Sequence, residues 1–487
     1  MNSDTLGAVY AVVVLIVDIV IRVLAVIFVP QNRKPQTAAA WLLAIFLIPY
    51  VGIILFLLIG NTRLPKSRRD KQREINEYIL ETTEGMDEVE RDPDFPPWLD
   101  PIVELNRTLG SMPLVGGNTT TFHTEYQESL DAMTASMAGA KRFIHVEFYI
   151  LALDKTTRPF FDAMEAAIRR GVIVRVLFDH IACLRSPHYH RTLHALRRMG
   201  ALWHPMLPIQ PLRGKFQRPD LRNHRKILVI DGVEAFTGSQ NVIDRSYNKR
   251  GNISRGLKWK DFMARFEGPV VAGINALFVT DWYSETNELL VREARDATHP
   301  KLTHALDAQV VPSGPGFDLE NNLRLFNALV YSAQRKVIIT SPYFVPDDSM
   351  LYAITNAAYR GLDVQLFASE IGDQAVVYHA QRSYYEALLR AGVRIFLYKA
   401  PYILHAKHIS IDENVAVIGS SNMDMRSFSL DYEISIMMRG NDAVARLREV
   451  EESYRRDSKE ITLEQWLRRP IRSKVLDNTA RLTAALQ

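Results

Sequence analysis

The chain has 487 residues, 47% of them hydrophobic and 23% charged, with a formal net charge of +4. That balance excludes a disordered chain and a polycation, and it leaves apolar material for two domains plus extras. A single cysteine, Cys183, excludes an intrachain disulfide; within LFDHIACL it reads as core rather than nucleophile.

Taken in order, the chain opens with two apolar runs. Ala8 to Val29 is about long enough to cross a bilayer and carries Asp18 and Arg22, four apart and able to pair on a helix. No basic residue precedes it and no small-residue cleavage site follows it, which disfavours a signal peptide. Ala39 to Ile59 contains no charge, and Pro49 is expected to kink it. With the short connector Pro30 to Ala38, the expectation for residues 1–62 is a transmembrane helical hairpin. Arg63, Lys66, Arg68, Arg69, Lys71 and Arg73 follow the second run, against Arg33 and Lys34 in the connector. That asymmetry predicts a cytoplasmic body, with the N-terminus on the same side.

Residues 63–117 are charged and proline-marked and read as a linker, with a short helix near Lys71 to Thr82. An α/β pattern begins at about Asn118. His145 to Leu151 reads as a strand, Phe160 to Arg170 as a helix stopped by Gly171, Val172 to Asp179 as a buried strand, and His188 to Met199 as a helix stopped by Gly200. The same order returns as Val337 to Phe344, Ser349 to Arg360, Leu362 to Ser369 and Tyr378 to Arg390. Strand, helix, strand, helix and hairpin, twice over, is an internal duplication. Two domains are expected, 118–300 and 301–487, each a mixed sheet flanked by helices. Gln465 to Leu486 reads as a surface helix, docked on the second domain or touching a membrane.

Each half ends in the same kind of stretch. Asn223 to Asn241 is NHRKILVIDGVEAFTGSQN, and Leu404 to Asn422 is LHAKHISIDENVAVIGSSN. In the first, β-branched runs flank Asp231-Gly232, a strong hairpin signal. His224 and Lys226 are two apart and share a strand face. The returning strand brings Ser239 and Asn241 towards them. An imidazole, an ammonium, a hydroxyl and an amide then converge, which suits a phosphoryl group: a nucleophile plus donors for anionic oxygens. The second copy repeats the spacing with His405, Lys407, Asp412, Ser420 and Asn422. A buried hairpin with scattered polar residues is the plainer alternative, and the repetition of the full pattern argues against it.

HxKxxxxDxxxxxxGSxN is the signature of the phospholipase D superfamily, and both copies are complete. The paired apolar runs, the basic segment after them, HVEFYIL, SPYFVPD and both motifs make the chain resemble bacterial cardiolipin synthases of the phospholipase D type. The tail LTAALQ has no assigned role. The resemblance implies an α/β fold of two tandem phospholipase D-like domains related by a pseudo-two-fold. It also implies that one histidine attacks phosphorus to give a phosphohistidine while the other moves the proton. His224 is taken as nucleophile because the N-terminal motif usually supplies it; the residues alone leave the order open. His224, Lys226, Asp231, His405, Lys407 and Asp412 form the expected catalytic set, with Asp231 and Asp412 expected to act structurally at the hairpin turns. Asn241, Asn422, Ser239 and Ser420 are expected to bind phosphate. In this family a further acid orients each histidine, and Asp261 and Glu433 are the candidates, each placed after its own motif; Asp261 is thereby expected to serve His224.

No CxxC, HExxH or acidic cluster with ligand spacing is present, and two lysines and two asparagines can neutralise a phosphate, so no metal or cofactor is expected. The resemblance implies that two phosphatidylglycerol molecules are joined to cardiolipin with release of glycerol. The expected partners are phosphatidylglycerol and other anionic phospholipids in a bacterial inner membrane, not nucleic acid, with oligomeric state open. Two alternatives remain: a nucleic-acid phosphodiesterase, which the basic residues Arg213, Lys215, Arg218, Arg222 and Arg225 would also suit, and a non-catalytic membrane scaffold.

Overall fold

The computed structural model describes residues 3–31, 33, 35–60, 64–85, 96–210, 217–290, 306–317 and 319–483. It comprises two compact units, residues 1–63 with the short segment 218–220, and the remainder. The expected domain boundary at 300/301 and most of the C-terminal LTAALQ lie outside the described residues.

In the first unit, helix α1 (Ser3–Phe28) is followed by α2 (Pro35–Leu47) and α3 (Pro49–Ile59). Among the described residues one stretch, Gly7–Phe28, is long and apolar enough to cross a membrane. Asp18 and Arg22 pair as expected, at 3.0 Å. The expected second span is corrected: it is two short helices, not one kinked helix. Pro49 lacks an N–H and its ring disfavours helical geometry at Ile48, which sits at φ −137°, ψ 74°. The chain folds back at that point. The Trp41 and Phe56 rings meet edge-to-face with centroids 5.5 Å apart, whereas fifteen residues of continuous helix would separate them by about 22 Å. Gly52 permits the close crossing, since a Cβ there would stand 2.7 Å from Ile45 Cα.

The second unit is built on one 16-stranded sheet. In chain order its strands and their short companions are β1 (Leu114–His123), β2 (Phe143–Phe148), β3 (Ile173–Asp179), β4 (Leu202–Met206), β5 (Arg222–Asn223), β6 (Lys226–Ile230), β7 (Glu234–Gly238), β8 (Lys258–Lys260), β9 (Met263–Glu267) and β10 (Leu306–Ser313). They continue as β11 (Lys336–Thr340), β12 (Phe344–Val345), β13 (Asp363–Ser369), β14 (Arg394–Tyr398), β15 (Tyr402–Leu404), β16 (His408–Ile411), β17 (Val415–Gly419), β18 (Met423–Asp424), β19 (Asp431–Arg439) and β20 (Ser458–Ile461). The order β4-β3-β2-β6-β7-β9-β1 of one half is repeated as β14-β13-β11-β16-β17-β19-β10 in the other. The halves join where β1 runs antiparallel to β10, with Leu114 opposite Gln309. The sheet is mixed, as expected: β2, β3 and β4 are parallel, whereas β6 and β7 form the antiparallel motif hairpin.

Helices cover both faces, so the strands are buried on both sides and read as continuous apolar runs rather than alternating ones. Phe160, Phe161 and Met164 of the helix Arg158–Arg169 pack on Val146, Val174 and Val176 in the first half. In the second half, Met350, Tyr385 and Leu388 do the same against Ile339, Leu366 and Ile395. The stretch expected to be linker is partly core. Its helix Asp100–Gly110 buries Ile102 in the second half's apolar cluster, and Asn106 donates to Gln309 Oε1 at 3.0 Å. The C-terminal segment is broken at Pro470 into Leu463–Leu467 and Ile471–Arg481. It docks on the second half through Asp477, which accepts from Arg382 at 3.3 Å and lies 2.7 Å from His379 Nδ1.

Asp231 and Asp412 hold the two hairpins to the sheet. Asp231 accepts backbone N–H bonds from Lys141, Arg142 and Phe143 at 2.8 to 2.9 Å. Asp412 accepts from Gln334, Arg335 and Lys336 at 2.8 to 3.0 Å. Each ties its turn to the start of the neighbouring strand rather than bonding within the hairpin. Both sit at positive φ, 54° and 47°, a conformation that Asp tolerates better than most residues. Replacing Asp412 by Ala is expected to cost about 1–3 kcal/mol by stranding charge-assisted backbone bonds. A denaturation midpoint for Asp412→Ala indistinguishable from the parent's would contradict that role.

Candidate active site

Two short parallel pairings between the halves build the site. β5 runs beside the start of β19, placing Asn223 opposite Tyr432. β15 runs beside β8, placing Leu404 opposite Lys260. The next residues of the four strands are His224, Glu433, His405 and Asp261. The backbone continues the pairing, with His224 N–H donating to Tyr432 O at 2.9 Å and His405 N–H donating to Lys260 O at 2.7 Å.

The result is a crossed pair of histidine–carboxylate contacts. His224 Nδ1 lies 2.9 Å from Glu433 Oε1, and His405 Nδ1 lies 2.7 Å from Asp261 Oδ1. Both candidate acids therefore meet a histidine, but the expected pairing is reversed: Asp261 serves His405, and Glu433 serves His224. Each acid comes from the half opposite its histidine, so neither half holds a complete site.

The serines take a different place from the expected one. Ser239 Oγ donates to Asp261 Oδ1 at 2.7 Å and accepts from Phe262 N–H at 2.9 Å. Ser420 Oγ likewise donates to Glu433 Oε2 and accepts from Ile434 N–H at 3.0 Å. Their protons are committed to the carboxylates rather than to a phosphate. The motif glycines explain the fit: a Cβ on Gly238 would stand 2.3 Å from Phe262 O, and one on Gly419 would stand 2.2 Å from Ile434 O. Only glycine lets the hairpin approach the strand that carries the acid.

Lys226 Nζ donates to the carbonyl of His224, and Lys407 Nζ to that of His405 at 2.7 Å. Both ammoniums are buried beside the histidines. Asn241 departs from expectation, since its amide donates to Tyr247 Oη at 2.9 Å and accepts from Ile150 N–H at 3.1 Å. Asn422 keeps an acceptor, with a buried Oδ1 that has no partner among the described residues. Of the basic residues around the first motif, Arg213 and Lys215 lie outside the described residues. Arg218, Arg222 and Arg225 are paired with Asp220, Asp179 and Asp281.

Two tyrosines join the site without having been singled out in the sequence. Tyr149 lies edge-on to the His224 ring, centroids 4.9 Å apart, and Lys226 Nζ sits 5.5 Å from its ring. Tyr343 stands in the same relation to His405, at 6.4 Å. Tyr149 follows β2 and Tyr343 follows β11, the equivalent strands of the two halves, within HVEFYIL and SPYFVPD, and that shared position is the available signal. Arg225, inside the first motif, donates from Nε to Glu433 O at 3.1 Å and pairs with Asp281. It ties the first hairpin to the strand bearing the opposite acid; the second motif has Ala406 at that place.

Burial governs the charges. It pushes both imidazoles down to about 4, with the neighbouring lysines adding to the shift and the carboxylates opposing it. Burial also lowers Lys226 to about 8 and Lys407 to about 7. Burial alone would raise Asp261 and Glu433, but the facing histidines, lysines and serines outweigh it and hold both below the usual carboxylate range. Near neutral pH the histidines are uncharged. With Nδ1–H donated to a carboxylate, Nε2 is left with a lone pair, the arrangement a nucleophile or base requires.

The stability consequence has a definite sign. Unfolded histidine takes up a proton as pH falls through its ordinary value of 6.5, while the folded groups resist until about 4. The unfolded state binds more protons in that window, so stability falls as pH drops through it, by up to about 3 kcal/mol per histidine. The thermal midpoint of detergent-solubilised protein is expected to decline between pH 6.5 and 4.5, and to decline less in His405→Gln. Parallel profiles for parent and variant would contradict the assignment.

Comparison with known proteins gives the same outline. The family model described as "Cardiolipin synthase, PLD-like domain" matches residues 133–268 and 327–454, and "Phospholipase_D-nuclease N-terminal" matches 11–61. The chain is 33% identical over 471 residues to a cardiolipin synthase of Geobacillus kaustophilus, covering 95% of this chain and 91% of that protein. It is 31% identical over 455 residues to cardiolipin synthase A of Proteus mirabilis, covering 92% of each. In fold it is similar to the crystal structure of a phosphatidylserine synthase from Haemophilus influenzae, with a TM-score of 0.59 and 16% identity over 79% of this chain and 99% of that one. With matched models over both halves and similarity along nearly its whole length, the chain belongs to the cardiolipin synthase family of phospholipase D-type phosphatidyltransferases.

Proposed function

We propose that this chain joins two phosphatidylglycerol molecules into cardiolipin and releases glycerol through a phosphohistidine intermediate. The observation that carries the reading is the crossed pairing of each motif histidine with an acid from the other half. His224 Nε2 attacks phosphorus of the first lipid while Glu433 holds Nδ1–H and stabilises the charge that develops on the ring. Lys226 and Lys407 neutralise the phosphoryl oxygens, with Asn422 beside them. The bound phosphodiester's negative charge favours a second proton on His405, which passes it from Nε2 to the departing glycerol. The glycerol hydroxyl of the second lipid returns a proton to His405 and attacks phosphorus, and His224 leaves. One phosphodiester is exchanged for another, so no activated donor is needed.

Ser239 and Ser420 position the acids in this reading, and Asp231 and Asp412 hold the hairpins. Halves 118–300 and 301–487 act as one unit, with neither active alone. The body is placed at the cytoplasmic face of a bacterial inner membrane.

With phosphatidylglycerol as the only lipid, the protein is expected to yield cardiolipin and glycerol without added cytidine nucleotide, and equally with a chelator present. His224→Ala is expected to abolish turnover, and His405→Ala to lower it about 10²–10⁴-fold. Acid quench and mass spectrometry are expected to find the phosphatidyl group on His224; finding it only on His405 would reverse the two roles. Phosphatidic acid as the dominant product, or cardiolipin only when cytidine-diphosphate-diacylglycerol is supplied, would overturn the reaction. Oligonucleotide cleavage with the lipid untouched would favour the nuclease alternative.

A further inference from the structure

We propose that the N-terminal unit crosses the membrane once and that α2 and α3 form a re-entrant wedge in the cytoplasmic leaflet, which places the N-terminus outside. This replaces the two-span topology expected from hydropathy, in which the N-terminus and the body share a side. It does not depend on the chemistry proposed above.

The ends of the wedge are held together by one side chain. The Arg33 guanidinium donates to Val29 O at 2.6 Å, at the C-terminal end of α1. It also donates to Gly60 O at 3.1 and 3.2 Å, at the C-terminal end of α3. A cation bound to the last carbonyls of two helices also suits both macrodipoles. The point where the chain leaves α1 and the point where it leaves α3 are therefore neighbours. A helix pair that begins and ends at one place has not carried the chain across.

The depth of the wedge agrees. Helix α2 has 13 residues and α3 has 11, lengths of about 20 and 17 Å against a hydrocarbon core of about 30 Å. Near its tip the wedge still contacts the C-terminal half of α1: the guanidinium of Arg22, in that half, lies 5.6 Å from the ring of Phe46, one residue before Leu47 ends α2. The contacts α1 makes with the wedge lie in its C-terminal half, where Ile21, Ala25 and Val29 join Ala38, Ile45 and Phe56 in one cluster.

The rest of the wedge surface faces outward and is apolar. Leu43, Leu47, Ile48, Ile54 and Leu57 are each more than half exposed, and no Asp, Glu, Lys or Arg occurs between Pro35 and Gly60. This surface continues the exposed apolar surface of α1, a stretch long enough to span, so the occupant that fits it is lipid acyl chain. Bending the backbone inside hydrocarbon requires its polar groups to be met locally. At the tip part of that demand is met: Ile48 N–H donates to Ala44 O at 3.0 Å, Ile48 O accepts from Gly52 N–H at 2.7 Å, and Pro49 has no N–H to satisfy.

Charge sets the direction. In the two-span arrangement the flanking basic residues are split, two in the connector and six after the second run. With a re-entrant wedge all of them fall on one side, and Met1 to Gly7, on the other, contains no Lys or Arg. The positive-inside rule then puts Arg33 and everything after Gly60 in the cytoplasm.

The test uses single cysteines in full-length Cys183→Ser protein, labelled with an impermeant maleimide in oriented vesicles. Ser3→Cys is expected to label only from outside and Lys66→Cys only from the cytoplasmic side. Ile48→Cys is expected to label from neither side until detergent is added. Ser3→Cys and Lys66→Cys labelling from the same side would overturn the proposal, as would Ile48→Cys labelling in intact vesicles. A second variant tests the code for the turn. Pro49→Leu with Gly52→Leu is expected to straighten residues 35–59 into one spanning helix and to move Ser3→Cys labelling to the Lys66 side. Unchanged labelling in that variant would show that these two residues do not encode the wedge.

Discussion

The site depends on two carboxylates that cross between the halves of the sheet. Glu433 reaches His224 and Asp261 reaches His405, each acid fully buried and each supplied by the other half. A buried carboxylate costs several kcal/mol unless its lone pairs are met. Here an imidazole and a serine hydroxyl meet each one, and two lysines sit close by. Separating the halves would take the imidazole and one of the two lysines from each acid and leave it only the serine and lysine of its own half, so the crossing couples the integrity of the site to the joining of β1 and β10 at the centre of the sheet.

That coupling explains the pattern of the motif better than direct phosphate contact does. The glycine allows the hairpin to touch the acid-bearing strand, the serine clamps the acid, and the aspartate locks the turn to the neighbouring strand. Histidine and lysine are left at the open end. The two halves are not identical, however. Arg225 links the first hairpin to the backbone of Glu433 and to Asp281, whereas Ala406 at the matching place makes no such link. The pseudo-symmetric frame thus holds two histidines in different surroundings, as a reaction that asks one to form a bond and the other to move a proton would require.

Low local polarity acts on every charge in this frame. It drives the imidazoles towards their neutral forms and brings the lysines near the pH at which they titrate. An anionic phosphodiester would reverse both tendencies, because its charge favours protonated partners. A site poised in this way binds an anion strongly with few donors, which is consistent with Arg222 and Arg225 being neutralised by Asp179 and Asp281.

The duplication, the α/β class, the two hairpins and the identity of the histidines, lysines and orienting acids were all legible in the sequence. The duplication, the class and the hairpins follow from local periodicity, turn chemistry and spacing, which act over a few residues, whereas the candidate acids came from the resemblance to the phospholipase D superfamily. Partner choice was not legible. His224 and Glu433 are 209 residues apart and His405 and Asp261 are 144 apart; which acid meets which histidine depends on the pairing of β5 with β19 and of β15 with β8. The roles of the serines and of Asn241 were hidden for the same reason, since a hydroxyl or amide near a phosphate site bonds whatever the fold brings nearest. In the membrane unit the sequence determined apolar length and the proline. Whether Pro49 kinks a span or folds it back was decided by Gly52 against Ile45 and by Arg33 binding two helix ends, contacts that exist only once the chain has turned.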